Sequence, residues 1–248
     1  MTKAHTHRGP WSLFNTFGLR KEWVALYLDH PERWEETGAL GNRQIEAFKR
    51  WIKVCELEDK SCSLFSLFQS STVNNLMPWE IAWANIAANL ATASWYVKEL
   101  GFGTWKTTEL RNILEARHPH LAQRTVTNAI NELTGLLERT PIGKELCQGL
   151  VENSRPRTVT RKGLAAPSRE AVFYALYHLF LENKTDCLDL DSDDLWPWVI
   201  FGCRKNYVLQ KVILEGDRWF RLTDRFILLK EPVATLEEVY KCGFILTT

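Results

Sequence analysis

The sequence lacks a long uninterrupted apolar run, although 45% of its 248 residues are hydrophobic. Its longest apolar stretch, residues 79–100, is interrupted by charged and amide side chains, namely Glu80, Asn85, Asn89 and Lys98. Because charged groups inside a bilayer are costly, this pattern favours a buried central helix over a membrane span. The opening residues, MTKAHTHRGP, lack the apolar centre of a signal peptide, so we expect a cytoplasmic protein.

The cysteines form no pattern typical of a metal site or a redox motif. There is no Cys-x-x-Cys pair and no Cys/His spacing of the zinc type. The six positions are Cys55, Cys62, Cys147, Cys187, Cys203 and Cys242. Scattered cysteines of this kind are typical of reduced thiols in a cytosolic protein.

The chain also lacks an excess of either charge, since 31 Lys and Arg accompany 30 Asp and Glu, for a formal net charge of +1. Attraction of nucleic acid by bulk charge is therefore excluded. A DNA-binding protein of this composition must concentrate its basic residues on one face. What the sequence does contain is 11 tryptophans, which predict helical cores packed around indole rings.

The order of the segments predicts a mainly α fold with small β wings, arranged as tandem winged-helix (helix-turn-helix) units. Residues 39–54 and 120–135 share a small residue, then Asn or Gln, then Arg, and this loose repeat suggests two such units. We expect residues 56–68 to form the first wing and residues 101–107 to form a loop. The predicted units are residues 1–75, an N-terminal winged-helix-like unit; 76–152, a central helix plus a second helix-turn-helix; 153–167, a basic linker or wing; and 168–248, a C-terminal α/β unit.

Residues 121–137 have the pattern of the second helix of a helix-turn-helix unit. One face is apolar at helical spacing, with Val126, Ala129, Ile130, Leu133 and Leu137. The candidate DNA-binding residues of this segment are Gln123, Arg124, Thr127, Asn128 and Asn131. Arg suits guanine edges and phosphates, and Asn can pair with adenine in two places. The alternative is an ordinary solvated helix face, although this one carries no acid before Glu132, which lies toward its edge.

Two further basic sets are candidates for contacts with the phosphate backbone. The first lies on a predicted amphipathic helix from residue 42 to about residue 55 and comprises Arg43, Gln44, Arg50 and Lys53. The second lies in the linker or wing and comprises Arg155, Arg157, Arg161 and Lys162. Each phosphate contact should add to the salt dependence of binding. The alternative is that these side chains only solubilise the surface.

Carboxylates in two places are candidate ligands for Mg²⁺ or Mn²⁺ in a hydrolytic site. Glu58 and Lys60 have the Glu-x-Lys spacing of restriction-type metal sites, but the Asp that such sites need on a preceding strand is not evident. Asp189 and Asp191 lie in an acidic segment that lacks the Gly and distal Glu of a calcium loop. The alternatives are a solvated wing for the first pair and a solvated turn before a helix for the second.

Three segments together resemble a known protein family. LFNTFGLRKEWVAL (13–26) resembles its N-terminal signature, LGNRQIEAFKRWIKVCEL (40–57) its next block, and PWEIAWANIAANLATASWYVKEL (78–100) its central aromatic helix. The family, formerly of unknown function, is encoded beside phosphoadenosine-phosphosulfate-reductase-like enzymes. It includes the DNA-nicking B component of bacterial single-strand phosphorothioation (Ssp) systems. The resemblance covers most of the first two thirds and fades after about Gly163.

The resemblance implies a DNA-binding protein of a DNA phosphorothioation and antiphage defence system, which introduces or supports single-strand nicks. It implies partnership with double-stranded DNA and with a cysteine desulfurase, a PAPS-reductase-like enzyme and an ATPase. Many members carry Gly-His-Glu before the Thr-Phe pair, where this sequence has Leu13, Phe14 and Asn15. If that His and Glu do chemistry in relatives, this chain cannot do it in the same way.

Two alternatives stay open beside a nicking enzyme. One is a non-catalytic DNA-recognition subunit that positions the sulfur-transfer enzymes, and the other is a winged-helix transcription regulator. For the DNA-binding component of a defence system, a homodimer is a plausible arrangement, because two-fold symmetry suits the half-sites of duplex DNA.

Overall fold

The computed structural model describes residues 9–13, 17–58 and 63–230. Over these residues the fold is mainly helical with two small antiparallel sheets, which confirms the mainly α part of the predicted fold class. The arrangement as tandem winged-helix units stays a prediction. The helices are α1 (Lys21–Asp29), α2 (Asn42–Val54), α3 (Ser63–Ser71), α4 (Met77–Asn89), α5 (Ala91–Trp95), α6 (Thr107–Arg117), α7 (Gln123–Arg139), α8 (Pro141–Lys144), α9 (Arg169–Asn183), α10 (Pro197–Phe201) and α11 (Lys205–Glu215). The strands are β1 (Gly103–Lys106), β2 (Leu150–Glu152), β3 (Thr158–Arg161), β4 (Cys187–Asp189), β5 (Phe220–Leu222) and β6 (Phe226–Leu229).

Tryptophan side chains fill the interior, as the composition predicted. The fully buried members are Trp51, Trp79, Trp83, Trp95 and Trp196. Helix α2 is the amphipathic helix expected from residue 42, and it buries Phe48, Trp51 and Ile52 on one face. Burial of an aromatic side chain stabilises the fold by roughly 1.5–3 kcal/mol, so these rings anchor the helical part of the molecule.

The prediction of a β wing over residues 56–68 is wrong where the structure describes it, because residues 63–71 form α3. Leu64, Phe65, Leu67 and Phe68 are all buried. Their spacing of one, three and four residues places them on one side of a helix, whereas a strand would send neighbours to opposite faces. Residues 59–62 lie outside the described part of the chain.

The central apolar segment is helical and buried as predicted, but it is interrupted. At Leu90 the backbone is extended, with φ −121° and ψ 113°, and α4 ends before it. The N–H of Ala91 is then satisfied by the carbonyl oxygen of Pro10 at 3.1 Å. After α5, residues Tyr96–Leu100 form a π-helical turn. Among the residues described, no helix has the length and apolar character needed to cross a membrane.

The first sheet has the strand order β1-β3-β2 and is antiparallel throughout. Trp105 on β1 and Val151 on β2 both pair with Val159 on β3, which is fully buried. Residues 101–107, expected to be a loop, therefore supply a strand and the first residue of α6. Alternation of side chains across the sheet explains why Val159 is buried while its neighbours Thr158 and Thr160 are partly exposed.

The C-terminal part packs α9 and α11 against the second sheet, of order β4-β6-β5, around its own apolar cluster. Residues 219–232, WFRLTDRFILLKEP, have the pattern of a β-hairpin, and their described part forms the antiparallel pair β5 and β6. Ser168 begins α9 by accepting a hydrogen bond from the N–H of Ala171 at 3.2 Å. Its own N–H donates to a carboxylate oxygen of Glu80 at 2.8 Å, which ties α4 to α9.

Candidate nucleic-acid interface

Helix α7 carries the strongest sequence-predicted binding face, and its apolar stripe is buried as expected. Val126, Ile130 and Leu133 are at most 2% exposed. On the other side, Gln123 and Arg124 are exposed, while Thr127, Asn128 and Asn131 are half-buried. The first two turns of α7 therefore present an open polar surface, and the later turns are covered in part by the rest of the chain.

The N-terminal segment covers α7 beginning at Glu132, which is only 1% exposed rather than at the edge of a solvated face. One carboxylate oxygen of Glu132 accepts from Ser12 Oγ at 2.8 Å, and the other accepts from the N–H of Leu13 at 2.7 Å. These two bonds hold the segment across the helix. They also satisfy a buried carboxylate, which would otherwise be costly to place there.

One turn further along α7, two glycines allow backbone to lie against backbone. A Cβ atom added to Gly18 would lie 2.1 Å from the backbone nitrogen of Leu136, and one added to Gly135 would lie 3.2 Å from the backbone nitrogen of Gly18. The close approach brings the segment that contains Phe17 and Arg20 to the side of α7. Glycine is required at residue 18 for this approach, because any side chain would overlap the helix backbone.

Beside this contact lies a cavity of about 420 Å³ that we call the arginine pocket. Four guanidinium groups line it, from Arg20, Arg111 on α6, Arg139 on α7 and Arg157 in the turn between β2 and β3. The remaining polar or aromatic lining includes Phe17, Thr107, Asn131, Thr134 and Glu138. Arginine in a concave site is typical of phosphate recognition, because its planar fork matches phosphate oxygens.

The charges of the arginine pocket are only partly compensated. Glu138 accepts from Arg157 at 3.0 Å, and the amide oxygen of Asn131 accepts from Arg111 at 2.9 Å. The Nε atoms of Arg20 and Arg111 are buried and have no hydrogen-bond partner within the described structure. Burial and the positive charge of Arg139 both lower the pKa of Arg20. The pocket is therefore an electropositive site that would accept an anion.

A second cavity, of about 780 Å³, adjoins the arginine pocket and shares Arg20, Glu138 and Arg139 with it. Gln44 of α2 lines this cavity, so one residue of the α2 set lies near the C-terminal end of α7. Its side-chain oxygen accepts from the N–H of Gly41 at 3.1 Å. Gln44 thus caps its own helix as well as facing this surface.

The other basic residues of α2 lie among carboxylates. Arg50 donates to the carbonyl oxygen of Leu13 at 2.9 Å, and Lys53 Nζ lies 3.8 Å from Glu58. Both line a different cavity, which also includes Glu35, Glu46 and Glu58. Arg43 is exposed near the start of the helix. Because acidic side chains lie among the basic ones here, we expect this face to bind a phosphate less strongly than the surface of α7.

The predicted phosphate-binding role of Arg161 does not agree with its place in the core, where it is 2% exposed. Its guanidinium donates to Gln148 Oε1 at 3.2 Å and to backbone carbonyl oxygens. Those carbonyls belong to Val97, Gly101, Val199 and Ile200, at 3.0–3.2 Å. Burial lowers the pKa of Arg161 to about 10, so the side chain stays charged at neutral pH. Arg161 joins the first sheet to α10 and is not available to DNA.

The remaining linker residues are at the surface. Arg155 and Lys162 are exposed, and Arg157 points to the arginine pocket. Of the four basic residues predicted in this segment, three can therefore be reached by a polyanion. Between the two hairpin strands, residues 153–157 form the connecting turn, so Arg155 and Arg157 project from the sheet next to α6 and α7.

The carboxylates predicted to hold a divalent cation lie beside basic side chains where the structure describes them. Asp189 is held by Arg225, at 2.8 Å from one of its oxygens, and it also accepts from the N–H of Asp191. The hydrogen bonds from Arg225 and from the N–H of Asp191, together with the positive charge of Arg225, lower the pKa of Asp189. Glu58 is exposed next to Lys53, and Lys60 lies outside the described residues. No group of three or more His, Cys, Asp or Glu side chains within residues 9–13, 17–58 and 63–230 could hold a metal ion.

A polar cluster between α2, α4 and α9 was not predicted. Glu56, at φ 58°, accepts from Asn89 at 2.9 Å and from the hydroxyl of Tyr174 at 3.3 Å, and it lies 3.5 Å from His178. Burial opposes ionisation of Glu56, but the hydrogen bonds and the charge of His178 outweigh it and lower its pKa. Glu182 lies 3.9 Å from the other nitrogen of His178. The cluster joins distant parts of the chain and supports the fold.

Sequence reasoning also missed Arg20, Arg111 and Arg139. Arg20 lies in residues 13–26, which carry part of the family resemblance, and Arg139 lies just beyond residues 121–137, the predicted binding helix. A single Arg in each of three separated segments gives no local pattern. Only their approach to Asn131 and Arg157 in the folded chain makes them a site.

The elements around this site define a mainly helical fold that is shared with a solved structure. That structure is magnesium ion-bound SspB, with a TM-score of 0.69 over 92% of this chain and 86% of that chain. The two sequences are 11% identical, so the likeness establishes an SspB-like fold alone. No family model matches the chain, and no curated protein matches it.

Proposed function

We propose that this protein is a DNA-binding component of an Ssp-type DNA phosphorothioation and defence system. The observation that carries the proposal is the continuity between the open polar turns of α7 and the arginine pocket, on an SspB-like fold. Arg124 and Asn128 would contact the duplex, and the pocket guanidiniums would contact its phosphates. Phosphate contacts supply most of the affinity of such proteins, and base contacts supply the specificity.

The order of elements supports a winged-helix interpretation of residues 103–161. Strand β1 precedes α6 and α7, the hairpin β2–β3 follows, and β1 pairs with β3. In this interpretation α7 enters the major groove, which is wide enough to admit a helix. The turn at residues 153–157 is the wing, and it brings Arg155 and Arg157 to the adjacent backbone.

The partners follow from the same proposal. Double-stranded DNA is the ligand, and the sulfur-modification proteins (a cysteine desulfurase, a PAPS-reductase-like enzyme and an ATPase) would act on DNA that this protein recognises in the cytoplasm. A homodimer would place two α7 helices on successive turns of the duplex. Analytical ultracentrifugation with and without DNA tests this last point.

Single-strand nicking is the second candidate activity, favoured by the magnesium-bound state of the SspB structure. Asp189 is hydrogen-bonded to Arg225, which leaves this carboxylate less available to hold a metal ion. This favours DNA recognition without cleavage at Asp189. Incubation of supercoiled plasmid with the protein, with and without Mg²⁺ or Mn²⁺, distinguishes nicking from recognition without cleavage. If metal-dependent conversion to the open circle persists in Asp189→Ala and Glu58→Ala, the protein nicks DNA with residues other than these two.

The direct test of the proposed function is binding of a fluorescent 30-base-pair duplex at several salt concentrations. We expect affinity that falls steeply as salt rises, because cations are released from the DNA. Specific recognition of one palindromic operator would favour a transcription regulator instead. Absence of binding at low salt would refute the DNA-binding proposal.

A further inference from the structure

The arginine pocket carries more positive charge than is needed to neutralise one internal phosphodiester. Glu138 is engaged by Arg157 at 3.0 Å. Within the described chain, Arg20, Arg111 and Arg139 have no carboxylate within 4 Å. Burial lowers the pKa of Arg20, the positive charge of Arg139 in the same pocket lowers it further, and the negative charge of Glu22 opposes both. Such a site is stabilised by an anion of more than one charge.

The geometry of the guanidinium groups points to the same conclusion. The Nε atoms of Arg20 and Arg111 are shielded from solvent, so a ligand that enters the arginine pocket would meet the terminal nitrogens of its arginines. A phosphate group offers several oxygens in the geometry that guanidinium forks match.

The pocket is also larger than a phosphate group. Its volume of about 420 Å³ lies within the range of small-molecule sites, roughly 300–1,000 Å³. Phe17 provides an aromatic ring in the lining, and Asn131, whose amide oxygen accepts from Arg111, provides an amide NH₂ group. The hydroxyl of Thr134 is used within the helix, because it donates to the carbonyl oxygen of Ile130 at 2.6 Å. An aromatic ring stacks on any nucleobase, and an amide NH₂ group can bond to sugar or base. The lining therefore suits a whole nucleotide.

We propose that the arginine pocket binds the terminal phosphomonoester of a nucleotide, as found at a nick or strand end of DNA. A phosphomonoester carries a charge of about −1.5 to −2 at neutral pH, whereas each phosphodiester of the backbone carries one negative charge. A terminal phosphate can also enter a concave site end-on, whereas an internal phosphate is flanked by sugars on both sides. This inference rests on the proposed DNA-binding function and names the ligand of its most basic site.

The test compares nicked duplexes that differ only in the nick, with either a 5′-phosphate or a 5′-hydroxyl, and the corresponding pair of 3′ ends. We expect about tenfold tighter binding of one phosphate-ended form, the effect of one or two charge-assisted contacts. The preference should disappear in Arg139→Gln and, independently, in Arg20→Gln. Arg221→Ala removes an exposed arginine of β5 and should retain it.

Equal binding of phosphate and hydroxyl ends by the wild-type protein would overturn the inference while leaving the proposed function intact. Absence of binding to any duplex would instead refute the proposed function. Thermal unfolding with thymidine 5′-monophosphate, compared with thymidine, tests the pocket without DNA. If the monophosphate raises Tm in the wild-type protein but not in Arg139→Gln, the arginine pocket binds a free nucleotide. If the protein prefers phosphate-ended duplexes and the monophosphate does not raise Tm, the ligand is the phosphate at a strand end.

Discussion

Arg111 donates a hydrogen bond of 2.9 Å to the amide oxygen of Asn131, and this bond joins α6 to α7 at the wall of the arginine pocket. The sequence predicted Asn131 as a group that reads adenine. Its oxygen is already used by Arg111, so Asn128, one turn earlier and with no such bond in the described structure, is better placed to read a base. Asn131 instead orients a guanidinium for phosphate.

Asn131→Ala should therefore reduce stability as well as DNA binding. The substitution removes the acceptor of a charged donor that is half-buried, and such bonds contribute about 1.5 kcal/mol or more. Urea unfolding measures this loss. Asn128→Ala is the matched control, with an expected change of less than about 0.5 kcal/mol. An equal loss of stability in both variants would contradict the role assigned to the Arg111–Asn131 bond.

Arg124→Ala should weaken binding to every duplex sequence and reduce its salt dependence. If Arg124 contacts one phosphate, the slope of log affinity against log salt becomes less steep by about 0.9. Fluorescence anisotropy between roughly 50 and 200 mM KCl is the measurement, because log affinity falls linearly with log salt. Arg221→Ala should leave the slope unchanged, and a slope unchanged in Arg124→Ala would remove this residue from the interface.

Gly18→Ala should detach the N-terminal segment from α7, whereas Gly135→Ala should be tolerated better. The added methyl would lie 2.1 Å from a backbone atom in the first case and 3.2 Å in the second. Overlap with backbone cannot be relieved by a rotamer change, so we expect a loss above about 3 kcal/mol for Gly18→Ala and below about 1.5 kcal/mol for Gly135→Ala. Hydrogen exchange at Leu13 reports the detachment. The reverse order of the two effects would refute the assigned contact.

Arg161→Met should destabilise the protein without a specific effect on DNA. The substitution leaves a set of buried carbonyl oxygens and the Gln148 side chain without their donor, and each buried acceptor left unpaired costs about 1–3 kcal/mol. Thermal unfolding measures it, and Lys162→Ala, next along the chain but exposed, is the control. Should Arg161→Met keep wild-type stability and reduce the salt slope instead, Arg161 belongs to the DNA surface after all.

Glu56 should make stability depend on pH in acid. Because its pKa is lowered in the folded state, the ionised form stabilises the fold above the unfolded value of about 4.3, and this contribution is lost as pH falls through the folded value. We expect Glu56→Gln to be less stable than wild type at pH 7 and the difference to shrink toward pH 3. Chemical unfolding across this range is the measurement. A difference that grows in acid would have the wrong sign for this account.

The local sequence pattern was sufficient to predict the structure where the burial of neighbouring side chains decides it. The apolar periodicity of α2 and α7, the indole-rich core and the hairpin of β5 and β6 were all predictable, because each depends on the spacing of neighbouring side chains. The prediction of a wing over residues 56–68 overlooked this periodicity, because the spacing of Leu64, Phe65, Leu67 and Phe68 places them on one side of a helix. Local pattern failed at Leu90, where an extended residue interrupts the central helix and Pro10 supplies the hydrogen-bond acceptor.

The sequence by itself determined the amphipathic helices α2 and α7 and their apolar faces. It also determined that a DNA-binding protein of this net charge would have to gather its basic residues on one surface. Tertiary structure alone decided which basic residues those are. Arg20, Arg111, Arg139 and Arg157 are separated by up to 137 residues and share one cavity, whereas Arg161, four residues after Arg157, is buried among carbonyl oxygens. The physical reason is that side-chain periodicity fixes only local direction. The position of a charge relative to distant charges depends on how helices and sheets pack, here on a glycine contact between residues 18 and 135 that no charge pattern encodes.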